Sequence, residues 1–297
     1  MSEITTYKHS IDGVEHILVF NPDGRPRYTL DGKQVTGVTT ILSVKAKPEL
    51  ITWAVRFCVK EAFLIMSRPT SLMDKLKALV KFSSKQSKAL ASEFPEWDRA
   101  ITAHTKNSDE AKRLGTLAHA DVEKYIRWKM GETSSFTIQE DTKHMVQPFI
   151  DWAEGKVSVT PQDQRTKFNR NVIEIVPKTI KFLKAEQVVF SIKYFYAGTY
   201  DFLCEIDGKQ YMGDFKTSSG IYGRDYFHQT AAYRAACEEL GWGKGIVGSV
   251  IVRSGKDGND LEVKVSEAYK EDFNCFKAAA ILYKEGFTDV ELDEEVK

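Results

Sequence analysis

Paired cysteines are missing from this chain. Its four cysteines, Cys58, Cys204, Cys237 and Cys275, lie far apart and form no CxxC pair. Zinc ribbons and sequence-local iron–sulfur motifs are therefore unsupported, and thiols spread in this way fit a reducing, intracellular compartment. No apolar run approaches the length needed to span a membrane. Met1 to Ser10 has no apolar signal core and is not rich in Arg, so neither a secretion signal nor a transit peptide is expected. The pattern G-x-x-x-x-G-K-[ST] does not occur, so ATP is not expected to drive the chain. Excess charge is lacking too: 42 basic residues balance 42 acidic ones. Nucleic-acid binding then depends on where the Lys and Arg gather, not on their sum.

What is present suits one large domain, or one domain with a substantial insertion: 297 residues, 42% of them hydrophobic, enough for a sizeable core. The first part reads as short strands. Ile17 to Phe20 is apolar and Asn21 to Gly24 is a turn. Tyr28 to Leu30, Asp31-Gly32 and Val35 to Val38 read as a hairpin, with Thr39 and Thr40 as caps for the next element. Pro48 opens a helix whose apolar face carries Ile51, Ala54, Val55 and Cys58.

Residues 67–107 read as a helical insertion with a basic face. Lys75, Lys77, Lys81, Lys85 and Lys88 occur there, with no acid between Asp74 and Glu93. A DNA channel is one reading; a solvated helix face is the other. Phe82, Phe94 and Trp97 suit either base stacking or a core role.

A long helix is predicted from Ser108, as N-cap, to Met130, with Gly131 ending it. Further helices are expected at Met145 to Trp152 and Ile180 to Leu183. Gln187 to Ile192 reads as a strand. Ala197 to Ile206 and Gln210 to Lys216 form a hairpin across Asp207-Gly208. Tyr226 to Leu240 reads as a helix, Ile246 to Val252 with Leu261 to Val265 as a hairpin, and Ser266 as the cap of a last helix.

The chemistry gathers at the middle hairpin. Asp201 interrupts the apolar run Tyr200, Phe202, Leu203, while Asp214 and Lys216 stand two apart on the next strand and share a face. Two carboxylates on a core-facing sheet repel each other and are costly to desolvate, and a divalent cation offsets both. Oxygen ligands suit Mg²⁺ or Mn²⁺. Lys216 would orient an attacking water or stabilise charge on a phosphate. A buried Asp–Lys ion pair is the plainer alternative. His119 and Glu123 share one helical face, as do Gln229 and Tyr233; ordinary packing is the alternative for each pair.

Four segments then resemble one family. Gly115-Thr116 with His119 and Glu123 is similar to the GTxxHxxxE helix of RecB-type nucleases in the PD-(D/E)XK superfamily. Gly198-Thr199-Tyr200-Asp201 looks like their first metal-binding strand, Asp214-Phe215-Lys216-Thr217 like their D-[aromatic]-K-T strand, and Gln229 with Tyr233 like their QxxxY motif. All four come in the family's order. Val38 to Leu42 followed by Trp53 is similar to the opening of phage-encoded exonucleases and of the mitochondrial genome maintenance exonuclease.

The resemblance implies an α/β, restriction-endonuclease-like core: a mixed central sheet flanked by helices, with an N-terminal hairpin and a helical insertion. It implies residues 1–107 as strands plus a DNA arch and 108–297 as the nuclease core, in one compact unit. Implied metal ligands are His119, Asp201, Asp214, the Phe215 carbonyl and Glu186. Implied catalytic groups are Asp201, Asp214, Lys216, Glu123, Gln229 and Tyr233. DNA contacts fall to Thr217, Ser218 and the lysines from Lys75 to Lys88. With only Cys275 late in the chain, no iron–sulfur cluster of the CRISPR-adaptation type is expected.

The expected activity is ATP-independent, Mg²⁺- or Mn²⁺-dependent exonucleolytic hydrolysis of DNA, preferring single strands, in recombination, repair or replication. A structure-selective endonuclease and an inactive DNA-binding scaffold are the alternatives. DNA is the expected partner, with a single-strand-binding or annealing protein as a further candidate. Location is expected in the cytoplasm, that of a host cell if the source is a phage.

Overall fold

In the computed structural model the strands are β1 (Thr5–Ile11), β2 (Val14–Phe20), β3 (Tyr28–Leu30), β4 (Lys33–Gly37), β5 (Val172–Ile173), β6 (Ile180–Ser191), β7 (Tyr196–Ile206), β8 (Lys209–Lys216), β9 (Ile246–Ser254) and β10 (Leu261–Ser266). The helices are α1 (Val38–Ile41), α2 (Pro95–Lys129), α3 (Glu140–Ala153), α4 (Asp225–Glu239) and α5 (Tyr269–Tyr283). The structure describes residues 3–44, 95–156, 172–173, 180–218, 220–221, 223–256 and 261–284, with the side chains of 95–106 and 172–173 excepted. No helix among them is long and apolar enough to cross a membrane.

Three Asp-Gly pairs close hairpins: Asp12-Gly13, Asp31-Gly32 and Asp207-Gly208, each with positive φ at both residues. Turns of this hand match the twist of the strands they join. The result is an α/β fold built on a single mixed sheet, ordered β1-β2-β3-β4-β7-β8-β9-β10-β5, with β6 paired to β7 off that path. The β4–β7 and β8–β9 pairs are parallel, the rest antiparallel.

The pairing along β7 decides where a site can form. β6 pairs along its whole length, from Ile180↔Ile206 to Ser191↔Tyr196. β4 meets it only at Tyr196 and Ala197, and β8 only from Phe202 to Ile206. The stretch from Gly198 to Asp201 thus lies in a gap between two partners. Beyond Gly213, β8 leaves β7 but stays paired with β9 through Lys216↔Arg253. Asp201 sits at this fork.

Two hydrophobic groups hold the fork. One joins Tyr196, Tyr200, Leu203 and Met212 of the sheet to Ala231, Ala232 and Ala236 of α4 and Phe276 and Ala280 of α5. The other is a ring cluster in which buried Phe149 of α3 contacts Tyr125 of α2 and Phe182, Phe202 and Phe215 of the sheet, at centroid distances of 5.4–6.2 Å. Edge-to-face ring pairs each add about 0.5–1.5 kcal/mol to the burial of apolar area. Asp121, fully buried one half-turn after His119, accepts from the Gln139 N–H (3.0 Å), the Thr142 hydroxyl and Lys124 Nζ (2.8 Å). It ties α2 to the start of α3, where Gln139 supplies no side-chain cap of its own.

Several sequence expectations need correction. The long helix begins at Pro95, not Ser108; proline suits a first helical position, and Ser108 lies inside the helix without ending it. Ile180–Leu183 opens strand β6 instead of forming a helix, because the β-branched and aromatic residues there pair with β7. Thr39 lies within α1, whose N-cap is Gly37, and neither it nor Thr40 caps the helix. Ser266 ends β10; its hydroxyl donates to Asp272 (3.0 Å), and the N-cap of α5 is Ala268. Strand β1, unread in the sequence, is a mostly exposed edge strand.

The chain divides into two compact units, 1–45 with 115–297, and 46–114. The N-terminal strands therefore join the sheet of the core, a different grouping from the expected boundary at residue 107. The helix expected after Pro48 and the lysines Lys75, Lys77, Lys81, Lys85 and Lys88, with Phe82 and Phe94, lie outside the described residues, as does the side chain of Trp97.

Candidate metal centre

Each site residue is held by a different element. Asp201 is in the gap of β7. Its Oδ2 accepts the Phe215 N–H at 2.7 Å, a donor that β8 frees by leaving β7 two residues earlier. The same oxygen lies 3.2 Å from His119 Nδ1. The imidazole comes from α2, where Gly115 lets the helix approach closely: a Cβ there would lie 3.2 Å from Thr217 Oγ1 at the end of β8. Phe215 also steadies the imidazole, edge-on at 5.3 Å between ring centroids.

Glu186 is on β6, between the pairs Ala185↔Phe202 and Gln187↔Tyr200, and so faces Asp201. Its φ is +44°. A non-glycine residue in that region costs on the order of 1–3 kcal/mol, and unlike Asp12, Asp31 and Asp207, which sit in hairpin turns, Glu186 adopts it within a strand. His119, Glu186 and Asp201 each offer a ligand atom within 4.8 Å of the others.

Asp214 adjoins this triple without being part of it. Its Oδ1 accepts from Lys216 Nζ at 2.7 Å and from Gln229 Nε2 at 3.3 Å. Its Oδ2 is buried and has no hydrogen-bond partner among the described residues. Gln229 also donates to the Tyr233 hydroxyl at 3.1 Å, and Tyr233 packs where Gly198 leaves room: a Cβ at 198 would lie 2.4 Å from its ring. Lys216 lies over the Tyr226 ring at 5.3 Å.

The electrostatics follow from burial and spacing. Burial pushes the Glu186 carboxyl up to about 8, with negative Asp201 and Glu123 adding to the effect. Burial likewise raises Asp214 to about 6, against the pull of Lys216. Burial would raise Asp201 too, but His119, Lys216 and the Phe215 N–H together hold it below the usual carboxylate range. His119 is raised: burial opposes its charge, and Asp201 outweighs burial. Lys216 is also raised, because Asp214 and Asp201 outweigh the burial that opposes its charge.

This donor set fits a hard divalent cation. Carboxylate oxygens and one imidazole suit Mg²⁺ or Mn²⁺, and a buried, unpartnered carboxylate oxygen is the kind of group a cation would satisfy. His119, Asp201 and Glu186 are the residues that would hold it, and Asp214 adjoins them, close enough to interact electrostatically with Asp201 and His119.

Of the residues singled out in the sequence, His119, Glu186 and Asp201 share one cluster. Asp214, Lys216, Gln229 and Tyr233 form a hydrogen-bonded chain next to it. Glu123 pairs with Arg127 at 2.8 Å and reaches the cluster through its charge on Glu186. Phe215 contributes its N–H and its ring. Ser218 donates to the Gly220 carbonyl at 3.0 Å. Sequence reading passed over Tyr226 and the buried Arg253–Glu262 pair (3.0 Å), which fastens the loop after β8 through the Ile221 N–H and the Ser218 carbonyl. Ion-pair partners nine residues apart on a hairpin carry no local signal.

No protein-family model and no curated protein matches the chain.

Proposed function

We propose that the protein is a metal-dependent deoxyribonuclease of the PD-(D/E)XK type. It hydrolyses phosphodiester bonds from DNA ends, prefers single strands, and works without ATP. The observation that carries this reading is the cluster of His119, Glu186 and Asp201 donors within 4.8 Å, adjoined by Asp214 with its orphaned oxygen and by Lys216. A structural ion pair explains Asp214 with Lys216. It does not explain a second acid, a strained glutamate and an imidazole converging beside them.

A bound Mg²⁺ or Mn²⁺ would supply charge neutralisation for the phosphate and for the clustered acids. The chain's own groups do the rest. Asp201 is fixed by the Phe215 N–H, so its second oxygen is presented at a set angle. Lys216, with a side chain only 19% exposed, holds a positive charge where charge develops on the phosphate oxygens, and in that low-dielectric position it acts strongly. Gln229 fixes Asp214 Oδ1 and leaves Oδ2 for the cation.

The test is digestion of 5′- and 3′-labelled single and double strands with Mg²⁺, Mn²⁺ or a chelator, beside a circular single strand. Metal-dependent release of nucleotides from linear DNA, with the circle intact, is expected. A linearised circle would replace exonuclease by endonuclease, and no release under any condition would remove the nuclease reading.

A further inference from the structure

A cleft of about 480 Å³ is lined by Gly198 and Thr199 of the gap in β7 and by Gln229 and Tyr233, which adjoin the candidate metal centre. Its floor includes Gln229 and Tyr233, the pair hydrogen-bonded to each other and, through Gln229, to Asp214. Its wall carries Arg25 and Arg27 from the connection between β2 and β3, Gln34 from β4 and Thr39 from α1, all exposed. None of its described lining residues is acidic. Among the described residues neither arginine has a carboxylate partner, although Arg27 lies over the Phe20 ring at 5.3 Å and the Tyr28 ring at 5.9 Å.

Two arginines two residues apart on the wall of one cleft, with no acidic residue among its described lining, make a site that favours an anion. Their forked donors match phosphate oxygens, and the rings beneath Arg27 order its fork in advance. Volume decides the size of the ligand. A cleft of this size is in the range that takes one small molecule, which suits a single nucleotide unit.

We propose that this cleft is a phosphate-binding subsite that seats the backbone of a single DNA strand next to the cleavage position, with Arg25 and Arg27 as its anchors. The choice of DNA as the ligand rests on the nuclease reading above. The N-terminal strands join the sheet through β4, on the same edge of β7 as the gap that holds Asp201, and the β2–β3 connection that carries the two arginines lines the same cleft as Gly198 and Thr199 of that gap.

The experiment uses the full chain in chelator. Binding of a short fluorescent oligothymidylate is followed by anisotropy between 50 and 200 mM salt. Each phosphate contact to a single strand contributes roughly 0.7 to the slope of log K against log salt. Losing two contacts in R25A/R27A should flatten the slope by about 1.4, a roughly 7-fold smaller loss of affinity over that range. R25K/R27K should keep the wild-type slope. An unchanged slope in R25A/R27A overturns the proposal.

A second measurement needs no variant. The oligothymidylate should protect Arg25 and Arg27 of the wild-type chain from phenylglyoxal, read by mass spectrometry, and millimolar inorganic phosphate should not. Full modification of both in the presence of the oligonucleotide, or equal protection by phosphate, overturns it. The two readings fail separately. Arginine-dependent binding without metal-dependent nucleotide release sinks the nuclease and leaves the subsite; release with an unchanged slope sinks the subsite alone.

Discussion

Replacing Glu186 by Gln should make the metal-free protein more stable and the metal-bound protein less so. Glu186 has an ordinary value of 4.5 and is pushed up to about 8 by burial and by Asp201 and Glu123. Between those values the folded state holds a proton that the unfolded state has released. Stability therefore falls as pH rises from about 4.5 to about 8, then levels off. At pH 7 the full effect is about 3 kcal/mol, since each pH step is about 1.4 kcal/mol. Water penetration and a compact unfolded state reduce this to roughly 2 kcal/mol. Gln is isosteric and has no proton to hold, so it removes the penalty.

The assay is thermal unfolding of both proteins in chelator from about pH 5 to pH 9. The variant's advantage should be near zero at the acid end and grow to roughly 4–8 °C above pH 7. Adding Mn²⁺ should reverse the order, because a ligand bound at 100 times its Kd stabilises the native state by about 2.7 kcal/mol, and the variant lacks one donor. Equal melting of the two apo proteins across that range, or a variant that gains as much from Mn²⁺ as the wild type, would refute the reasoning.

Three further predictions concern the surrounding residues. Asp201→Ala and Lys216→Ala should each lower nucleotide release by at least about 10²-fold while leaving oligonucleotide binding in chelator nearly unchanged; activity equal to wild type in either rules out the site assignment. Gly198→Ala, whose Cβ would lie 2.4 Å from the Tyr233 ring, should cost about 1–3 kcal/mol by overpacking and lower activity by displacing Gln229 from Asp214, and an unchanged melting curve with unchanged activity would contradict it. Asp121→Ala should cost roughly 1–3 kcal/mol in chemical denaturation at neutral pH, since it removes the acceptor of the Gln139 N–H and of Lys124 and leaves the buried Thr142 hydroxyl with the Gln139 carbonyl alone. Burial would raise that carboxyl, but Lys124, Thr142 and Gln139 hold it below its ordinary 3.8; its stabilisation is thus present above about pH 4, fades as pH falls through the lower folded value, and the two proteins should converge in strong acid.

The middle hairpin was legible in the sequence because its information is local. Asp207-Gly208 sets the turn, and the apolar residues on either side set the strands, so Asp214 and Lys216 had to share a face. His119 was legible as a helical residue, with Gly131 ending its helix. What the sequence did not contain was the partner of each strand. Ile180–Leu183 could serve helix or strand until β7 supplied its hydrogen bonds, and β1 has too few apolar residues to announce a strand without β2. The strained backbone of Glu186, the gap in β7 between β4 and β8, and the cleft that Arg25 and Arg27 line together with Gln229 all arise from pairing and packing between separate elements. Sequence alone determined which chemical groups this protein can bring to a site. Tertiary structure decided which of them meet, because strand pairing and burial, not local propensity, fix both distance and charge state.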